Sequence, residues 1–457
     1  MTDVTLEHIN RHIAHHDRVR RTLAAGIEAV DPAEAVSSRV EKEDGPTERP
    51  GWHPSDGRLL VLGCGKASGG MMEGLIACGF EFDGGCIVTK DGYAPPGLEV
   101  EIREAGHPEP DARGLEAAHA IESLARGATR RDHVVCLVSG GGSALMPAPV
   151  EGVGLDALRH THRMLVSSGA DISAINTVRK HVSRLKGGGL ARAIHPASHT
   201  TWVLSDVVGN HLDVIASGPT VPDPTTYADA LDVIAELGLQ SRLPDSVLRR
   251  LEAGLRGEVS ETAKPGEACF EGATAEIVAD ATTAVDAMND RLSADVPADH
   301  IDHIEVVNEP LAGESREAAR RWIQQISTLA QKHREPFWVL GAGETEVSVQ
   351  SGGLGGRCQE FALAAALKLE ASGGPKQVCL GILATDGTDG PSGDKHGIAG
   401  AIVDAGTPER IRQAGYDPSE LLQRHDSFVA LREAGDLLTV GPTGTDVTDI
   451  VCAYVVP

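Results

Sequence analysis

The chain has 457 residues, 41% of them hydrophobic, and carries 66 acidic against 41 basic side chains, for a formal net charge of −25. That length exceeds one ordinary core and predicts two or three domains. The acidic excess argues against nucleic acid as a main partner, because phosphate backbones are met by basic patches. Only 10 of the basic residues are lysines. An acidic, lysine-poor surface is the composition expected of a halophile, in which concentrated salt screens self-repulsion.

The mean hydropathy of −0.13 fits a soluble enzyme. No apolar run reaches transmembrane length and the N-terminus has no signal-peptide core, so a cytoplasmic protein with no membrane partner is expected. Eight cysteines include no CxxC pair and read as small buried hydrophobes in a reducing compartment. Histidines in HIAHH (12–16) and HIDH (300–303) lack a metal framework and read as exposed polar groups.

Residues 5–30 carry apolar positions at helical spacing, and the polar, Pro- and Gly-broken stretch 37–57 reads as a connector. RLLVLGCGKASGGMMEGLIACG (58–79) predicts a buried strand, a glycine turn and a helix; GGCIVTKDG (84–92) predicts a further strand. A helix over 111–127 precedes the apolar run HVVCLV (133–138), which delivers the chain to SGGGS. Helices are expected at 155–169 and 175–192, and TTWVLSDVVGN (200–210) is a strand ending in aspartate. Strands alternating with helices predict a parallel, doubly wound, Rossmann-like sheet whose ligands gather at the carboxyl ends of the strands. The texture changes after residue 240, and 255–272 is a candidate hinge or surface connection. A second α/β set is expected from EIVAD (276–280) onward, with FWVLGAGETEVSV (337–349), a helix over 357–371 and VCLGILATDGTDG (378–390). The expected domains are therefore 1–255 and 273–457.

Ser139, Gly140, Gly141, Gly142 and Ser143 form a bare stretch of backbone at a strand end. It is either a tight turn or a cradle in which amides meet an anion. Lys66 in GCGKASG has the look of a phosphate lysine without being a Walker A lysine, since position 60 is leucine and position 67 alanine. Asp206 and Asp213 flank a further glycine-bearing loop and suit a metal, a hydroxyl or a helix cap. Asp386 and Asp389 in ATDGTDG suit Mg²⁺, one metal contact plus a base, or a pair of turns. Arg357 opens a helix below four glycines, where its fork can grip a carboxylate or phosphate. Anion cradles, a loop lysine, a loop arginine and strand-end aspartates fit phosphoryl transfer, which is mostly positioning and charge neutralisation.

The strings LVSGGGSALMPAP, INTVRKHVSRLKGGGLA, SDVVGNHLDVIASGPTVPDPTTYADAL, GGRCQEFALAAAL, ATDGTDG and GPTGTDVTDI occur in that order. Together they resemble the class II glycerate kinases, from about residue 15 to the C-terminus. The resemblance implies a glycerate-kinase N-terminal domain, a MOFRL C-terminal domain and an active site in the cleft between them. It implies transfer from ATP to D-glycerate, with Mg²⁺ or another divalent cation, giving ADP and 2-phosphoglycerate. By the same resemblance Lys66, Arg357 and Asp206 are the catalytic residues, and the TDGTDG aspartates carry over as Asp386 and Asp389, the expected metal ligands. The backbone from Ser139 to Ser143 is expected to hold nucleotide phosphates, with the substrate carboxylate as the second choice.

The chain departs from the family's SDVxGDD at Asn210, from GGRNQE at Cys358, and from TGPTGTNVND at Asp446 and Thr448. Among these, Asp446 reads as surface adaptation. Self-association into a homo-oligomer stays open. The rival readings are a kinase forming 3-phosphoglycerate, an NAD(P)H-dependent hydroxypyruvate reductase, and a non-catalytic sugar-acid binding module. No GxGxxG followed by a ribose-binding acid is present to support the reductase.

Overall fold

A computed structural model describes residues 7–8, 14–42, 57–294, 303–349, 352–372, 375, 377–391 and 397–457. The chain divides into two compact units, one of Met1–Asp31 with Ala279–Pro457 and the other of Pro32–Val278. The strands are β1 (Glu7–His8), β2 (Leu59–Cys64), β3 (Gly84–Lys90), β4 (Glu101–Ala105), β5 (His133–Ser139), β6 (Ser198–Leu204), β7 (Thr274–Ala279), β8 (His303–Val306), β9 (Phe337–Gly343), β10 (Gln377–Ala384), β11 (Ile398–Val403), β12 (Leu437–Thr439) and β13 (Asp449–Val456).

The first helix, α1 (His16–Ala29), belongs with the C-terminal strands. Val19, Leu23 and Ile27 recur every four residues and are buried on one face. Gly381 in β10 lets that face approach closely, since a Cβ there would lie 2.6 Å from Val19 Cγ1 and 2.8 Å from Leu23 Cδ1.

The unit Pro32–Val278 is built on a six-stranded sheet in the order β4-β3-β2-β5-β6-β7. The pairings β2–β3, β2–β5, β3–β4 and β5–β6 are all parallel. β2 and β5 are buried along their whole length, as strands covered on both faces must be. This is the strand order 3-2-1-4-5-6 of a doubly wound fold, with its switch point between β2 and β5. The helices of this unit are α2 (Pro32–Lys42), α3 (Ser68–Ala77), α4 (Ala112–Arg126), α5 (Gly142–Leu145), α6 (Leu155–Ser167), α7 (Ile172–His181), α8 (Gly189–Ile194), α9 (Tyr227–Glu236) and α10 (Asp245–Leu255).

Several local expectations change. The helix expected over 175–192 is two helices: α7 ends at His181, and α8 begins at Gly189 after Gly187 and Gly188 turn the chain at φ 54° and 74°. Part of the expected connector, residues 37–42, is helical in α2, and 43–56 lie outside the described residues. EIVAD does not open the second set of elements: β7 is the edge strand of the first sheet, beside β6. The expected hinge at 255–272 is tied into its own unit. Arg192 donates to Glu267 Oε2 at 2.8 Å and to the Glu261 carbonyl at 2.6 Å, and Ala263 is fully buried. The compact units thus divide at 31/32 and 278/279, in place of a boundary between 255 and 273.

The other unit carries a seven-stranded sheet, β1-β12-β11-β10-β13-β9-β8. Its described pairings are antiparallel except β8–β9. Its helices include α11 (Ala281–Ala294), α12 (Ser315–Ala330) and α13 (Arg357–Ala371). Phe361 to Ala366 are all buried, so α13 is apolar around most of its girth and serves as a core helix. Among the described residues no helix is long and apolar enough to cross a membrane, and all eight cysteines are free thiols.

Candidate active site

The switch point of the parallel sheet brings two of the expected loops together. Beyond β2, the Lys66 amide donates to the Gly140 carbonyl at 2.9 Å, and the Ala67 amide donates to Ser139 Oγ, also at 2.9 Å. The contact tolerates no side chain at Gly65, where φ is 132° and a Cβ would lie 2.2 Å from Ser139 Oγ. Across the junction, a Cβ on Gly141 (φ 80°) would meet the His107 ring at 3.1 Å and Lys66 Cγ at 3.4 Å. The Lys66 stem therefore lies against the glycine loop. Lys66 is half-buried, the setting of a stem packed on protein with a charged head toward the surface.

Among the described residues the amides of Gly141, Gly142 and Ser143 donate to no protein acceptor. Successive open amides at a strand end are an anion cradle. Asp206 follows β6, the next strand over, so Lys66, the glycine loop and Asp206 occupy the carboxyl ends of three adjacent strands. His107, after β4, is a member of this neighbourhood that sequence reasoning missed; only its place after a strand in AGHPEP pointed to it.

Behind the glycine loop lies a polar chain also missed from the sequence. Ser143 Oγ is 2.6 Å from Ser217 Oγ, Ser217 donates to Asn176 Oδ1 at 3.0 Å, and Asn176 donates to the Val214 carbonyl at 3.1 Å. Ala216 and Ser217 hold φ of 50° and 61°. Such strain persists only where surrounding packing enforces it, and it clusters at functional sites. Here the packing is Gly142, on which a Cβ would come within 2.8 Å of Ala216 Cβ. Asp213 is not an open ligand: its Oδ2 accepts from the buried Lys180 ammonium at 3.0 Å, and Asp223 accepts from the same group at 3.3 Å.

In the C-terminal unit Arg357 is the first residue of α13, and its fork is taken. Nε and an Nη donate to the two oxygens of Asp449 at 2.7 and 2.8 Å, and the other Nη is 2.9 Å from Glu344. Asp449 is fully buried and Glu344 is 47% exposed. Burial pushes the Asp449 carboxyl above its ordinary value, opposed by the Arg357 charge.

Asp389 serves a different purpose from the one expected. Its oxygens accept from the Cys358 amide at 3.1 Å, the Gln359 amide at 2.8 Å and Gln359 Nε2 at 3.0 Å. This carboxylate caps the start of α13, where unpaired amides and the helix dipole favour negative charge. It is 3% exposed and wedged against Gly356, where a Cβ would lie 2.2 Å from its Oδ1. Asp386 Oδ1 accepts from the Thr388 amide and hydroxyl at 2.9 and 3.0 Å, an aspartate turn. The pair does not fit a magnesium site, because Mg²⁺ demands open oxygens in near-octahedral array. The histidines of HIAHH and HIDH fall partly outside the described residues. His303 lies near Glu305 and His333, and the partly buried His333 Nε2 is 2.8 Å from Glu305 Oε1.

With this geometry in view, comparison with known proteins decides the family. Residues 18–252 match a domain of unknown function, DUF4147, and residues 337–449 match the MOFRL family. The chain is 37% identical to a glycerate 2-kinase of Pyrococcus horikoshii, covering 95% of this chain and 96% of that one. It is 38% identical to a putative hydroxypyruvate reductase of Agrobacterium vitis, over 94% and 92%. The crystal structure of glycerate kinase from Thermotoga maritima superposes with a TM-score of 0.79 at 33% identity, over 96% and 99% of the two chains. The chain belongs to the DUF4147–MOFRL glycerate kinase family.

Within that family its departures now have places. Cys358 is fully buried, and its thiol hydrogen-bonds Asp449, so it keeps a donor where the family has an amide. Burial and then the Asp449 and Asp389 charges raise that thiol well above its ordinary pKa. Asp446 is 7% exposed, which removes the surface-adaptation reading. Thr448 sits at φ 81° with a buried hydroxyl that finds no partner among the described residues. The family's asparagine tolerates this conformation; a β-branched residue is strained there. Asn210, at φ 57°, is at ease for the same reason.

Proposed function

We propose that the protein transfers the γ-phosphoryl group of ATP to the C2 hydroxyl of D-glycerate, giving ADP and 2-phosphoglycerate, in the cytoplasm. The observation that carries this reading is the clamped junction of GCGK and SGGGS: three open amides beside a lysine stem at the switch point of a parallel sheet. Phosphates of ATP lie on the amides of Gly141, Gly142 and Ser143. Lys66 neutralises charge on the moving phosphoryl group, and Asp206 takes the proton of the attacking hydroxyl. A free alcohol is a weak nucleophile, so orientation supplies much of the rate. Arg357 is a further catalytic residue in this reading: Asp449 fixes its plane, and the exposed Glu344 is the partner that yields when an Nη engages an anion. Magnesium arrives as part of the MgATP substrate, since Asp386 and Asp389 are engaged in a turn and a helix cap.

The test is ³¹P NMR of enzyme with MgATP and D-glycerate in concentrated potassium chloride. The 2-phosphoglycerate resonance is expected. A 3-phosphoglycerate resonance would move the attack to C3, and intact ATP with folded protein would defeat the kinase reading.

A second reading, NAD(P)H-dependent hydroxypyruvate reduction, draws on the strand order, which is that of dinucleotide-binding folds. Against it, the acid after β3 that would meet a ribose hydroxyl, Asp91, is gripped by the Arg113 fork at 2.5 and 2.9 Å.

A further inference from the structure

Behind the glycine loop, two cations have no carboxylate partner among the described residues. Arg179 in α7 donates to Asn176 Oδ1 at 3.3 Å and to the His162 ring. Lys186 is 5% exposed and donates to the Met146 carbonyl at 3.2 Å, using one of its three N–H groups. Lys180 lies between them in sequence yet is held by two aspartates. Buried charge left without a counter-charge is costly, and a chain with 66 acidic residues has placed none of them here. Burial and crowding act on the group together. Lys186 is pushed down to about 8 by burial and then Arg179, and His162 to about 4 by burial and then the two cations.

Arg179, Lys186 and His162 line a cavity of about 30 Å³ with Thr161 and Ser143. Ser143, His162 and Arg179 keep partial exposure. Ser143 faces both ways, its amide in the open cradle and its hydroxyl on the chain through Ser217 and Asn176 that leads to Arg179.

We propose that Arg179 and Lys186, with Ser143, seat the carboxylate of the phosphoryl acceptor, so that a small 2-hydroxy acid is held with its hydroxyl beside the glycine loop. The identity of the acceptor as glycerate rests on the kinase reading above. The cavity holds about two water-sized spheres, the size of two carboxylate oxygens and too small for a phosphoryl group with its ester. An arginine fork matches that pair of oxygens. Arg357 cannot play this part without losing Asp449, on which two of its nitrogens are already spent.

The experiment is calorimetric titration of wild type, Arg179→Gln and Arg179→Lys with D-glycerate and, separately, with MgATP, alongside an assay of ADP release. Arg179→Gln is expected to weaken D-glycerate about 10- to 100-fold, the scale of a lost charge-assisted hydrogen bond in a buried site, and to change MgATP affinity by less than about twofold. Arg179→Lys, which keeps the charge and loses the fork, is expected to fall between, and it carries the test if the glutamine variant does not fold. Unchanged glycerate affinity in the variants overturns the proposal, as does a loss that falls on MgATP instead. If wild type binds glycerate through Arg179 but releases no ADP, the carboxylate seat stands and the kinase reading falls. If wild type releases ADP with glycerate while the variants bind it normally, the reverse holds.

Discussion

The two sheets of this molecule treat their polar groups in opposite ways. In the parallel-sheet unit, among the described residues, the amides of Gly141 to Ser143 meet no acceptor and the cations Arg179 and Lys186 no carboxylate. In the mixed-sheet unit the corresponding groups are closed on one another: Arg357 on Asp449, and Asp389 on the first amides of α13. An open polar group costs stability and is available to a ligand, while a satisfied one contributes architecture. The difference teaches that residue type alone does not mark a site; what counts is whether the fold has already supplied the partner.

The comparison is broken most directly at its two signature residues. Lys66→Ala should lower turnover by about 10³-fold or more, the scale for removing a group that stabilises transition-state charge, with a smaller change in Tm than at Arg357, because only a half-buried stem is lost. Steady-state kinetics and a thermal melt check both halves. Near-normal turnover would remove Lys66 from the mechanism. Arg357→Ala should lose stability as well as activity, by about 3–5 kcal/mol in a denaturant titration, since Asp449 is left buried without its counter-charge. The double variant Arg357→Ala/Asp449→Ala should recover part of that stability and none of the turnover; a single variant as stable as wild type would contradict the closed-pair account.

Salt sharpens the picture at the level of the whole chain. With a net charge of −25, Tm should rise steadily from dilute buffer to molar potassium chloride as self-repulsion is screened. A flat Tm would sink the halophile reading. A smaller effect is expected at Thr448. Thr448→Asn should stabilise by about 1 kcal/mol, because asparagine accepts the left-handed backbone at lower cost, and equilibrium unfolding would show it. Smallest of all, Cys358 in the native protein should resist thiol alkylation over hours, since burial holds its thiol well above the ordinary pKa. Rapid labelling would mean that the start of α13 opens.

Much of the first sheet was readable because apolar runs end abruptly in glycine: GCGK after β2 and SGGGS after β5 announce strand-end loops by composition alone. What escaped were facts about partners distant in sequence. Asp389 resembles a metal ligand until the amides of Cys358 and Gln359, about 30 residues earlier, prove to be donating to it. α7 and its following loop read as one basic helix, and nothing in RKHVSRLK separates Lys180, which is paired, from Arg179 and Lys186, which are not. EIVAD reads as the start of the second set of elements, yet β7 joins the first sheet, because a strand's neighbour is set by tertiary hydrogen bonding, which an apolar run does not encode. Asp449 sat in a quoted motif, GPTGTDVTDI, yet only the fold reveals it as the counter-charge of Arg357.

The measurement that tests the central claim most directly runs two assays on one preparation in concentrated potassium chloride: ADP release from MgATP with D-glycerate, and NADH loss with hydroxypyruvate. The account predicts ADP release that Lys66→Ala abolishes, and no NADH loss. NADH consumption without ADP release, or ADP release that survives in Lys66→Ala, would contradict a phosphoryl-transfer site at the junction of the two glycine loops.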